Sequence, residues 1–198
     1  MTIATFLSII ITGLFTSNIL LVQGVGSTSV AMATKSTNNP YKMGITVFAV
    51  LFLSTLIGFV LYNYILVQGN MEFLAILVFM LLIAGISMAL DSCLKKYNQQ
   101  YHSIFGNFLS TTIINSTILF LVQYSLLSNF GNHLGQVLLT SIFSGLGFLL
   151  ALILLSSIQE RLTLAKNDIP KPFKGIPIIL ISLAIISMAF MGLVGLSF

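Results

Sequence analysis

The 198-residue sequence predicts an all-α polytopic membrane protein, and three observations carry that prediction. Only eight residues are Lys or Arg and four are Asp or Glu, so 6% carry charge where soluble domains average about 25%. Hydrophobic residues make up 57% of the chain, and its mean hydropathy is +1.07. The charges also cluster in short intervals, leaving neutral runs at 1–34, 43–71, 73–90, 97–159 and 175–198. A soluble globular domain has to cover itself with polar groups, so that class is excluded. The net charge of +4 comes from scattered basic residues that set orientation in a membrane, and nucleic acid is not an expected partner. The one cysteine, Cys93, allows no internal disulfide.

At about 20 apolar residues per crossing, the chain holds about six spans and no separate extramembrane domain. The run 97–159 is too long for one crossing, and Ser128-Asn129-Phe130-Gly131-Asn132-His133 supplies a break within it. The expected spans are 3–22, 43–62, 73–90, 104–127, 134–157 and 176–197, forming one six-helix domain over 1–198. Helices are required because the segments do not alternate polar and apolar residues as barrel strands do. Three spans plus three spans also means that the second half enters the membrane in the opposite sense, as two inverted three-helix repeats.

Basic residues in short loops stay on the cytoplasmic side. Lys35 and Lys42 lie between spans 1 and 2, and Lys95 and Lys96 between spans 3 and 4. Arg161, Lys166, Lys171 and Lys174 lie between spans 5 and 6. All eight thus fall on one face, which places both termini outside. Tyr41, Tyr62, Tyr64, Tyr97 and Tyr101 fall at span ends, where an amphipathic ring suits the headgroup layer.

Chemistry has few places to sit. After span 1, the segment 23–34 is rich in Gly, Ser and Thr and reads either as an interrupted or re-entrant helix or as a flexible cytoplasmic loop. In span 4, Ser110-Thr111-Thr112 and Asn115-Ser116-Thr117 form a polar stripe. Either the hydroxyls bond their own helix backbone or the stripe faces another helix or a central site. Asn115 is the costliest of these to bury. Glu72, Asp91, Glu160 and Asp168 all lie at or beyond span ends, so no carboxylate relay crosses the bilayer within this chain. His102 and His133 fall near opposite faces and cannot share a metal. Gly145, Gly147, Gly192 and Gly195 read as close-packing positions. The basic loop with Pro170, Pro172 and Pro177 is stiff, and Arg161, Lys171 and Lys174 in it anchor to headgroups or dock a soluble partner.

The densest motif matches are Glu160-Arg161-Leu162, Ile169-Pro170-Lys171-Pro172-Phe173-Lys174-Gly175 and Ser187-Met188-Ala189-Phe190-Met191-Gly192. With Asn18-Ile19-Leu20-Leu21-Val22, Asn63-Tyr64-Ile65-Leu66, Gly131-Asn132-His133 and Asn115, they make the chain resemble the RnfA/NqrE family over almost its whole length. Members of that family are membrane subunits of Rnf and sodium-pumping NADH:quinone oxidoreductase complexes. The resemblance implies interrupted first and fourth helices, and a homologous partner of opposite orientation beside other electron-transfer subunits. It also implies an iron–sulfur cluster shared with that partner through one cysteine after the first helix and one directly after the Asn of the fourth. Here those positions read Thr28 and Ser116, and hydroxyls are poor replacements for thiolates. The expectation is therefore that this chain alone binds no cofactor and no metal, any flavin or iron–sulfur group belonging to partner subunits.

Two functional classes follow. One is an accessory, non-catalytic membrane subunit of an Rnf/Nqr-like electron-transport complex in a bacterial plasma membrane, supporting electron transfer coupled to ion translocation. The other is a small transporter or substrate-binding subunit of the energy-coupling-factor type, with Asn18, Thr28, Asn115 and Ser116 as a central polar site. An assembly subunit without ligand is a third, plainer reading.

Overall fold

A computed structural model describes residues 9–16, 18, 21, 40–97, 99–113, 115–127, 133–164, 170–173 and 175–194. Among them there are helices and turns but no strand. The chain first appears as a helical turn that loosens into a π-helical turn, Thr12–Thr16, and Asn18 is already outside the helix. The expected span 1 runs unbroken to residue 22, with its irregularity at 23–34; the departure comes earlier. Thr12, Gly13, Thr16, Ser17 and Asn18 are all weak helix formers, and the Asn18 side chain competes for backbone groups. Residues 22–39 lie outside the described set.

Helix α1, Pro40–Leu61, opens on a proline whose missing N–H costs nothing at a first turn. It is the central post of the bundle, packed against every other long helix before the last. Its buried residues Met43, Val47, Val50, Leu51, Ser54 and Thr55 follow helical spacing, while Ile45, Leu56, Ile57 and Val60 point outward and are equally apolar. A helix apolar on both sides is at home in lipid. A π-helical turn, Tyr62–Leu66, ends it, and a left-handed Asn70 (φ 52°) closes the following turn, a conformation that Asn tolerates.

After a short 3₁₀ turn at Glu72–Leu74, helix α2 runs Ala75–Tyr97. It buries Ala75, Phe79, Ile83 and Ser87 at every fourth position and turns Ile76, Leu77, Met80, Leu81 and Met88 outward. The expected span ends at residue 90, but the helix continues through Asp91, Lys95 and Lys96. Charge marks where hydrocarbon ends, and it does not oblige a helix to end there.

The expected fourth span is two helices, α3 (Gln99–Thr112) and α4 (Ser116–Leu127), with Ile113 in a turn and Asn115 outside both. Helix α5, Leu134–Leu164, has 31 residues, about 46 Å of rise against a hydrocarbon thickness of about 30 Å. Its last turns, carrying Glu160 and Arg161, project beyond the span expected at 134–157. After a 3₁₀ turn at Lys171–Phe173 and Gly175 (φ +90°), helix α6 runs Ile176–Val194, with Pro177 in its first turn. The formal charges of the described helices and helical turns thus sit toward their ends: Lys42, Glu72, Asp91, Lys95, Lys96, Glu160, Arg161 and Lys171.

Three helices are long and apolar enough to cross a bilayer, Lys42–Leu66, Glu72–Tyr97 and Leu134–Leu162, and two shorter ones, Ser116–Leu127 and Ile176–Gly192, are apolar. The chain is a multi-pass membrane protein. The α1–α5 seam is the most extensive helix pairing among the described residues, with Thr55 Oγ1 and Ser141 Oγ 3.1 Å apart inside it.

Candidate functional site

The interruptions after the first helix and within the fourth are each organised by an asparagine, and the two are used differently. Asn18 follows the π-helical turn and is 1% exposed. Its Nδ2 donates to the Gly147 carbonyl on α5 at 2.7 Å and to the Leu14 carbonyl at 3.3 Å, and its Oδ1 accepts from the Leu21 amide at 3.4 Å. The carboxamide is fully occupied in pinning the end of the first helix to α5. Gly147 makes that approach possible: a Cβ there would lie 2.5 Å from the Gly13 carbonyl oxygen. Ser187 of α6 donates to the Leu21 carbonyl and ties the same stretch to the last helix.

Asn115 occupies the break in the fourth helix. The preceding Thr111-Thr112-Ile113-Ile114 are four β-branched residues in a row, stiff at χ1 and poorly suited to carry a helix onward. Thr112 turns its hydroxyl back to the Leu109 carbonyl (2.6 Å), and the Asn115 amide bonds the Thr112 carbonyl (3.2 Å). Asn115 Oδ1 then accepts from the Thr117 amide at 3.0 Å, which is N-cap geometry, and α4 begins. Its Nδ2 is buried and has no hydrogen-bond partner among the described residues. Such an orphaned donor calls for an acceptor, a water or a group brought by a partner.

Ser116, the first residue of α4, is exposed. Of the other expected site residues, Thr28 lies outside the described residues. The structure therefore places Asn18 against α5, and Asn115 with Ser116 at the α3–α4 break, without showing a contact between the two asparagines. Of the basic residues expected to meet a partner, Arg161 is exposed at the end of α5, Lys171 falls in the 3₁₀ turn, and Lys174 is outside the described residues.

At the α3–α4 break, where the family resemblance puts one of the two cluster cysteines, Ser116 offers a hydroxyl, a poor replacement for a thiolate. Cys93 is exposed near the charged end of α2, with all of α3 between it and the break in the chain.

Sequence reasoning missed two contacts. Ser87 of α2 and Thr112 of α3, both fully buried, lie 3.3 Å apart, and His102 of α3 reaches Asp91 of α2 at 3.1 Å. The Asp91–Lys95 pair was legible as an i,i+4 spacing; the partner eleven residues away was not.

A family profile described as "Rnf-Nqr subunit, membrane protein" matches residues 6–197. The chain is 32% identical over 193 residues, 98% of each chain, to the A-type subunit of the proton-translocating ferredoxin:NAD(+) oxidoreductase complex of Clostridium ljungdahlii. It is 30% identical over 191 residues to the A-type subunit of the ion-translocating oxidoreductase complex of Actinobacillus pleuropneumoniae, covering 96% of this chain and 97% of that one. Against the protein of the same name from Hahella chejuensis, identity is 29% over 191 residues, with the same coverage.

Proposed function

The chain belongs to the Rnf-Nqr family of membrane subunits, and from that premise we propose that it is the A-type subunit of an ion-translocating electron-transport complex, working in the membrane beside other subunits. The near full-length similarity to subunits of that name carries this reading, and it does not favour the transporter alternative. The role is accessory: the chain supports electron transfer through its partners and performs no chemistry with thiols of its own. That part rests on Ser116 standing, as a hydroxyl, where the family resemblance puts a cluster cysteine, and on Thr28 at the other such position.

In the same reading, the α3–α4 break is the working site, a homologous subunit of opposite orientation packs against the chain, and the basic loops face the cytoplasm of a bacterial cell. The buried Asn115 Nδ2 supports the choice of the break over Asn18, whose amide is already committed. Purification of the chain, followed by iron and acid-labile sulfide assay, tests the cofactor claim. Metal well below one iron per chain is expected, and stoichiometric iron and sulfide would overturn it. Co-purification from native membranes tests the assembly: companions with flavin or ferredoxin-like domains are expected, whereas an ATPase pair would return the chain to the transporters.

A further inference from the structure

The half-helix α3 is short, 14 residues, and begins two residues after α2 ends, with Phe108 and Leu109 buried in the core, while its other end opens into the break. Two side-chain contacts add to that packing and pin particular residues of α3 against α2. Near the break, Thr112 Oγ1 lies 3.3 Å from Ser87 Oγ, and both residues are fully buried. About 15 Å lower along α3, by the helical rise over ten residues, His102 Nε2 lies 3.1 Å from Asp91 Oδ1. An ionised carboxylate can only accept, so the imidazole is the donor and Nε2 carries the proton. The other oxygen of Asp91 is taken by Lys95 Nζ at 2.6 Å, within the same helix. That exposed intrahelical pair cannot hold α3, and of the two Asp91 contacts it is the histidine's that crosses between helices.

Gly106 makes the crossing possible. One turn beyond His102, it lies directly under the ring, and a Cβ at that position would meet Nε2 at 2.7 Å and two ring carbons at 3.1 Å. An alanine there would push the imidazole away from Asp91.

We propose that His102 is a positioning residue: its Nε2–H, lying over Gly106, straps the lower half of the split fourth helix to Asp91 and thereby sets the register of Thr112 and Asn115 at the break. The functional weight of that register rests on the reading of the break as the working site of an electron-transport complex. The contact geometry stands apart from it.

The strap is tested in native membranes holding the complete complex. In a Cys93→Ser background, Ser87→Cys with Thr112→Cys places two thiols across the seam where the native hydroxyl oxygens lie 3.3 Å apart. With His102 intact, mild oxidation is expected to cross-link most of the chain. His102→Ala and Gly106→Ala are each expected to lower the yield several-fold at equal chain content, and His102→Gln, whose side-chain amide can donate to Asp91, to restore at least half of it. An unchanged yield in His102→Ala, a glutamine no better than alanine, or no cross-link in the parent pair would each overturn the strap. Electron transport in membranes lacking this chain separates the two claims. Unaffected transport would sink the functional reading and leave the cross-linking result standing.

Discussion

Asn18 and Asn115 look interchangeable in sequence, both polar, both in apolar surroundings, both expected at a central site. Their surroundings divide them. Asn18 commits every part of its carboxamide to backbone groups, including one 129 residues away, and acts as a staple. Asn115 commits only its oxygen, as a cap, and its donor is unpaired among the described residues. Substitutions separate the two duties. Asn115→Leu removes cap and donor together and is expected to cost roughly 1 kcal/mol in stability, seen as a lower melting temperature of the detergent-purified chain. Asn115→Ser keeps a capping oxygen, so it should melt close to the native chain yet lower electron transport in the assembled complex. Full transport in the Ser variant would reduce Asn115 to its cap. The residue types at the site were thus legible in the sequence, while their division of labour was not, because it depends on partners distant along the chain.

At the scale of elements, helix starts were readable to within a few residues: Pro40, Leu134 and Ile176 open helices expected at 43, 134 and 176. Helix ends were less so. Charged residues such as Asp91, Lys95, Glu160 and Arg161 mark the edge of hydrocarbon, and the helices run on through them. The α3–α4 break was invisible to hydropathy, since Ile113 and Ile114 are as apolar as any helix interior, and only the family resemblance implied an interruption there. The junction of the first helix with α5 offers a sharp contrast between glycines. Gly147→Ala would drive a Cβ against the Gly13 carbonyl, a backbone atom with little freedom to yield. It is expected to cost about 1–3 kcal/mol and to lower both melting temperature and assembly. Gly85→Ala on α2, where a Cβ meets nothing within 4 Å, is expected to be neutral or slightly stabilising. Equal melting of the two variants would show that the close approach at Gly147 is relaxed in the protein.

For the whole molecule, the testable quantity is orientation. Cys93 is exposed near the lysine-bearing end of α2, which the distribution of basic residues assigns to the cytoplasm. A membrane-impermeant thiol reagent applied to intact cells is expected to leave it unlabelled, and the same reagent on inverted vesicles to label it. The reverse pattern would turn the topology over. The formal charges of the described helices, all held at helix ends, have an electrical consequence as well. A tilt or slide that keeps those ends at the two surfaces carries no gating charge through the field. A potential of 100 mV does about 2.3 kcal/mol of work on each elementary charge that crosses it, and such a motion offers it none to act on. Among the described helices such a motion is electrically silent, so a voltage dependence of the assembled complex has to draw on charges outside them.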